Sequence, residues 1–479
     1  MVRGARLGGV TREDSENRGR RMTRKALGAL GALLALLVTG VAAVGTPADA
    51  AGAHGKRGHP PLRPVIFVHG GSGSAAQFET QAMRLTSNGY PARLIDGLEY
   101  DSTFGLNTME DVWAELDELI AEMLDRSRAD QVDLLGHSLG TTVSQGYLNS
   151  SPERADKVAH YVNIDGRQAD ALPGGVDTLA VWGEGDQTRR ILGARNFYAP
   201  DQSHVQVATS AETFAEFFEF FNDRPPRTTN VLPEPFGRVR LSGKANLFPS
   251  NVGADGSTLE IWRVRPATGE RIGRRPKATF EIGKDGSWGP FRANSRHHYE
   301  FALIWDENST QHYYFQPFLR SDHLIRLLTS EPGTGIDLIR DQSDNHTSVN
   351  FVRYKEWWAD QDQNNDVLTI DGQSILNPAT SPRSKRVNAI FAHDVDSDGV
   401  SDLSQPIPIF FALPFITGVD LFIPASIPPD DTVSFAMTAR DSGGETAVIN
   451  VPNFASSQHH VTVQFRDFEQ DLDRFPWRR

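Results

Sequence analysis

Between residues 63 and 222 six short apolar runs alternate with helical patterns, and this alternation constrains the fold more tightly than anything else in the 479-residue chain. The runs are VIFVHG (65–70), ARLID (92–96), VDLLG (132–136), VAHYVNID (158–165), TLAVWGE (178–184) and NFYA (196–199). Short runs that are apolar at successive positions are what strands buried on both faces of a parallel sheet require. Ahead of VDLLG, Met109, Val112, Trp113, Leu116, Leu119, Ile120, Met123 and Leu124 recur at helical spacing. Phe214, Phe217, Phe218 and Phe221 form a second such stripe. The pattern predicts an α/β domain, a mostly parallel sheet covered by helices.

DRPPRTT (223–229) reads as a linker. Beyond it come alternating or β-rich stretches such as STLEIWRVR, HHYEFALIW, SVNFVRY, DTVSFAMTA and HHVTVQF. Asp255-Gly256, Asp285-Gly286 and Asp371-Gly372 supply turn signals between several of them. The region 230–479 is therefore expected to be all-β and largely antiparallel, as one elaborate sandwich or as two small β modules.

The N-terminus reads as an address. RRMTRK (20–25) is followed by a mostly apolar run from Ala26 to Val44, and Ala48-Asp49-Ala50 gives the small-x-small pattern of a signal peptidase site. A signal peptide over 1–50, cleavage near Ala50, a flexible mature N-terminus over 51–62 and a secreted protein are expected, with Sec and twin-arginine export both open. With 61 acidic against 48 basic residues the net charge is −13, so nothing draws the chain as a whole to phosphate, and nucleic acid is excluded as a partner. The absence of cysteine excludes disulfides, thiolate metal sites and a cysteine nucleophile. No stable protein partner is predicted.

Gly136-His137-Ser138-Leu139-Gly140 is a G-x-S-x-G motif placed directly after the VDLLG strand and before a helical pattern. In that sharp turn the flanking glycines let the backbone hold a serine exposed as a nucleophile. A serine hydroxyl needs a base within hydrogen-bond reach and an acid to orient the base, and in this arrangement they follow in the order Ser, acid, His. His204, between the last strand and the last helix of the first half, fits the base. Two carboxylates follow strands, Asp165 and Asp186, and chain order does not choose between them. The oxyanion donors expected are the amides of Gly71, in the His69-Gly70-Gly71 turn, and of Leu139.

With these pieces in place the chain resembles the secreted lipases of the Archaeoglobus type, an α/β-hydrolase domain joined to a β-rich C-terminal domain. The resemblance lies in VHGGSGSAAQFETQAMRLTSNGYPA, GHSLGT, NSSPERADKVAH, SHVQVATSAETF, VRYKE, DSDGVSDL and TARDSGGE, and it covers about 63–467. It implies carboxylester hydrolysis of acylglycerols through a Ser-Asp-His triad, with the C-terminal domain helping to bind the acyl chain. It also implies Asp165, 27 positions after the serine, as the acid. Two departures stand out. The family's long helical lid is reduced here to STFGLNTM after Glu99-Tyr100-Asp101, and Gly71 replaces a larger apolar residue. A polyester or a short-chain ester is the alternative substrate, and a lipid- or surface-binding protein without activity the alternative class.

One further motif lies in the β half. Asp394, Asp396, Asp398 and Asp402, with Gly399 at the turn, follow the alternate spacing of a calcium loop, although Gln405 stands where an EF-hand has glutamate. A structural Ca²⁺ ion is the cofactor this motif suggests, and the expected catalysis requires none.

Overall fold

The computed structural model describes residues 62–468, all of them within one compact unit. The expected signal peptide and the segment 51–61 lie outside the described residues. Six strands, β1 (Val65–Val68), β2 (Ile95–Leu98), β3 (Val132–His137), β4 (Val158–Ile164), β5 (Asp177–Trp182) and β6 (Arg195–Tyr198), form a wholly parallel sheet in the order β2-β1-β3-β4-β5-β6. Both faces are covered. Val65 and Phe67 of β1 pack with Phe78, Leu85 and the phenylalanine stripe of a helix at Ala211–Asn222, while Ile66 and Val68 pack with Val112, Leu116, Ile120 and Tyr147 on the opposite side. The helices, in chain order, are α1 (Glu79–Ser87), α2 (Met109–Ser127), α3 (Leu139–Ser150) and α4 (Ala211–Asn222), with shorter helical turns between them.

Local signals explain where these elements stop and start. Thr108 caps α2 and closes a reciprocal box with Asp111, and Arg128 ends the helix in the left-handed region. Ala92–Leu94, expected as the start of a strand, is instead a 3-10 turn after Pro91, and pairing with β1 begins only at Ile95 opposite Val65. The segment 223–229 is tied down: Asn88 bonds the backbone of Arg227 and Thr228, and Arg84 donates to the Thr229 carbonyl.

The β region builds on β7 (Arg238–Leu247), β8 (Thr258–Val264), β9 (Ala278–Glu281), β10 (Ser287–Asn294), β11 (His298–Asp306), β12 (Ser309–Phe315) and β13 (Asp322–Thr329). It continues with β14 (Val349–Trp357), β15 (Val367–Ile370), β16 (Gln373–Ser374), β17 (Val387–His393), β18 (Asp402–Pro406) and β19 (Ile416–Asp420), and ends with β20 (Thr432–Thr438), β21 (Thr446–Pro452) and β22 (His459–Gln464). A nine-stranded sheet in the order β18-β19-β17-β14-β22-β12-β11-β8-β9 is flanked by a three-stranded sheet, β10-β7-β13, and a four-stranded one, β16-β15-β20-β21. The expectation of a largely antiparallel region needs correcting at four joints. β22 inserts between β12 and β14, parallel to both, and β13–β7 and β17–β19 are parallel as well. Hairpin reading of neighbouring stretches cannot show such long crossovers. Among the described residues no helix is long and apolar enough to cross a membrane.

β13 joins the two halves. His323 donates to the Ile95 carbonyl on the open edge of β2, Leu324 is buried in the core of the parallel-sheet domain, and Arg326 pairs with Glu99. Close by, α1 contributes Glu79, β13 contributes Asp322, and the segment after β22 contributes Asp467, which accepts a hydrogen bond from Thr80. Burial pushes all three carboxyls upward, and their mutual repulsion adds to the effect on Glu79. Asp467 is raised from 3.8 to about 6, chiefly by burial and despite the Thr80 bond and the nearby Arg84. A folded-state value above the unfolded one means that the protonated form favours folding, so this contribution is complete below the unfolded value and is lost as pH rises through about 6. Asp467→Asn should therefore stabilise the protein by up to about 2–3 kcal/mol at pH 8 and change little at pH 3.5, read from urea unfolding at the two pH values.

Candidate active site

Ser138 occupies the tight turn between β3 and α3, at φ 53° and ψ −121°. That conformation costs a non-glycine residue about 1–3 kcal/mol, and the surrounding backbone enforces it. A Cβ on Gly140 would lie 2.2 Å from the Val68 carbonyl oxygen, and one on Gly136 would lie 2.7 Å from that of Gly140. Only glycine lets strand and helix approach this closely, and the close approach turns the serine outward.

His204 Nε2 stands 3.0 Å from Ser138 Oγ, and its Nδ1 stands 2.6 Å from Asp165 Oδ2. The other carboxylate oxygen of Asp165 takes the Gly183 amide and a guanidinium nitrogen of Arg189, each at 2.9 Å. Burial alone would raise this carboxyl, but the His204 bond, the His204 and Arg189 charges and the Gly183 amide hold it down at about 2. Asp165 therefore stays ionised and keeps the Nδ1 hydrogen of His204 engaged, leaving Nε2 free to accept from the serine. Asp186 is exposed and bonds only Thr188 and its own turn. His137 is neutral, lowered to about 3 by burial and by the adjacent His204. Gln77 bonds its Nδ1, and its Nε2 donates to the His204 carbonyl, so it braces the base from behind.

The Gly70–Gly73 turn lies against the nucleophile, since a Cβ on Gly70 would come within 3.0 Å of Ser138 Cβ. Tyr100 donates to the His69 carbonyl and stacks on the His69 ring. Asn251, from the β region, donates to the carbonyls of Gly73 and Tyr100. These bonds fix the loop that carries the Gly71 amide. Leu139, the first residue of α3, has no carbonyl one turn back for its own amide. The connection from β2 to α2 is short: Asp101 takes the amides of Thr103, Gly105 and Leu106, closing the loop on itself.

A cleft of about 150 Å³ opens near the triad, bounded by Ser72–Ser74 on one side and by strands of the nine-stranded sheet on the other, with none of Ser138, Asp165 and His204 among its lining residues. Phe248, Trp305, Leu328, Phe391 and Phe415 give it apolar walls, and the Phe415 ring lies nearly parallel to His204 at 6.0 Å.

Motif reading missed Glu356. This fully buried residue of β14 accepts from Ser203 Oγ and from the amides of Val205, at 2.6 Å, and Gln206, at 3.0 Å, so it grips the chain on both sides of His204. Arg440 adds a bond from its guanidinium to Gln206 and another to the Glu356 carbonyl. Spacing carries no signal for these residues, because they lie 150 or more positions from the His204 loop and meet it only through the fold.

The aspartate loop of the β region is engaged mostly with itself. Asp394 accepts from Gly399, Asp398 from Val400 and Asp402 from Ser404, and the Asp396 amide donates to Asp341. One buried oxygen of Asp394 has no partner among the described residues, yet no three carboxylate or imidazole groups converge there as a metal site demands.

The class that fold and site define is an α/β hydrolase of lipase-like architecture. Residues 63–230 match the alpha/beta hydrolase fold family, residues 237–332 the lipase C-terminal domain family and residues 335–469 a further C-terminal domain family. Similar solved structures include a Listeria innocua gene product, 13% identical with a TM-score of 0.27, covering 35% of this chain and 97% of that one. A predicted hydrolase from Thermoplasma acidophilum is 15% identical with a TM-score of 0.26, covering 35% and 90%. Lipase B of Aspergillus fumigatus is 15% identical with a TM-score of 0.27, covering 36% and 55%. No curated protein matches the chain.

If Glu356 positions His204, Glu356→Gln should slow the reaction of Ser138 with a fluorophosphonate on the order of 10²-fold while far-UV circular dichroism stays native. Glu356→Asp should recover part of the rate. An unchanged labelling rate in the glutamine variant would remove this role.

Proposed function

We propose that the chain is an exported serine carboxylester hydrolase that cleaves lipid-like esters through an acyl-enzyme intermediate. The observation that carries this reading is the hydrogen-bonded chain from Ser138 through His204 to Asp165, with a mostly apolar cleft nearby whose Phe415 faces the His204 ring. Ser138 Oγ attacks the ester carbonyl carbon and passes its proton to His204 Nε2. Asp165 holds Nδ1–H and stabilises the imidazolium. The carbonyl oxygen, now negative, sits between the amides of Gly71 and Leu139. His204 then protonates the departing alcohol, and a water molecule activated by the same imidazole releases the acid and restores Ser138. The acyl chain lies in the cleft, away from water. The export proposal rests on the basic, apolar and small-residue segments of 20–50.

Hydrolysis of p-nitrophenyl esters from acetyl to stearoyl tests this reading. Ser138→Ala should abolish turnover, Asp165→Asn should lower kcat on the order of 10³–10⁴-fold, and Asp186→Asn should leave it unchanged. The optimum should fall at decanoyl or longer, because the cleft walls near His204 are apolar. An acetyl optimum, or loss through Asp186, would contradict the proposal.

A further inference from the structure

The cleft beside the triad is floored by one face of the nine-stranded sheet. Side chains on a strand alternate between faces, so the cleft takes Gln464, Thr462 and His460 from β22, and Val352 and Asn350 from β14. Val352 pairs with Gln464 in one row and Asn350 with Thr462 in the next. The first row continues through Ala389 to Ile416, the neighbour of Phe415, whose ring faces His204. This is the row on the triad side. His460 lies four residues before Gln464 on β22, about 13 Å of strand away from that row.

At that inner end the character of the walls changes. Asp337 accepts from Arg340 and from His460 Nε2, each at 2.9 Å. The carboxylate thereby fixes the hydrogen of a neutral imidazole on Nε2 and leaves Nδ1 as a bare acceptor. Burial and the Arg340 charge keep this ring neutral, at about 4. His460 Nδ1, the Arg340 Nε–H and Asn350 Oδ1 have no hydrogen-bond partner among the described residues, and all three residues are more than nine-tenths buried. A hydrocarbon chain leaves every one of them unpaired. An ester carbonyl or a carboxylate, which only accepts, answers the arginine alone. A hydroxyl group both donates and accepts, so it answers the arginine and one of the two acceptors.

Resting on the ester hydrolase reading above, we propose that the inner end of the cleft selects acyl chains that carry a hydroxyl group far from the ester carbonyl, that is, hydroxylated fatty acyl esters. Arg340 Nε–H donates to the hydroxyl oxygen, and the hydroxyl hydrogen goes to Asn350 Oδ1. An outer groove lined by Asp341, Gln342 and Ser457 shares Asp337, Arg340 and His460 with the cleft, so water is the competing occupant.

The test compares kcat/KM for p-nitrophenyl palmitate, its ω-hydroxy counterpart and a mid-chain hydroxystearate under identical detergent conditions. At least one hydroxylated ester should be preferred by about tenfold or more, because its competitor leaves buried polar groups unpaired. Asn350→Leu should bring that ratio toward one while raising the rate on palmitate. Good hydrolysis of palmitate with no preference for either hydroxylated ester would overturn the proposal and leave the hydrolase reading standing. A wild-type preference unchanged in Asn350→Leu would also overturn this assignment. Failure to hydrolyse any of the three by protein that still reacts with a fluorophosphonate at Ser138 would overturn the substrate assignment, and failure to react at all would overturn both readings.

Discussion

The buried carboxyl group of Glu356 holds the loop that carries His204. A loop histidine must give up conformational freedom to stay in line with its serine, and three hydrogen bonds to one anion, placed on both sides of His204, supply that restraint. The anion belongs to β14, in the middle of the nine-stranded sheet. Asn251 performs a parallel service for the oxyanion loop from another part of the β region. The loops that carry His204 and Gly71 are thus held by residues of the β region as well as by His137 and Tyr100 from within the parallel-sheet domain. Nucleophile and acid are fixed from within it, by the crowding around Gly136 and Gly140 and by the Gly183 amide and Arg189 on Asp165.

This division of labour accounts for the way the halves join. β13 caps the open edge of β2, buries Leu324 in the parallel-sheet core and brings Arg326 to Glu99 below the oxyanion loop. The same docking encloses the cleft, because the face of β14 and β22 that looks toward the triad becomes its floor. The connection from β2 to α2, closed on Asp101, is too short to cover such a cleft, and its cover comes instead from Phe415 and the strands of the β region. Shelter from water, which a hydrolase with a long lid gains by movement, is built here into the packing.

Much of the parallel-sheet domain was legible because its signals are local. Successive apolar residues mark β1 and β3, the stripe from Met109 marks α2, and glycines flank Ser138 where strand meets helix. ARLID misled because Leu94 and Ile95 are both buried although only the second belongs to the strand. The parallel insertion of β22 and the approach of Glu356 to His204 depend on contacts between distant segments, and no spacing rule encodes them. The choice between Asp165 and Asp186 was likewise open to chain order; geometry brings Asp165 to His204 and leaves Asp186 at the surface.

The central claim is that one serine, braced from both halves of the molecule, delivers an acyl chain into the cleft between them. A crystal structure of the protein inactivated by a long-chain alkylphosphonate tests it most directly. The account predicts phosphorus on Ser138 Oγ, its oxygen on the amides of Gly71 and Leu139, and the alkyl chain running past Phe415 over β14 toward β22. Phosphorus on another residue, or an alkyl chain lying in solvent with the cleft empty, would contradict it.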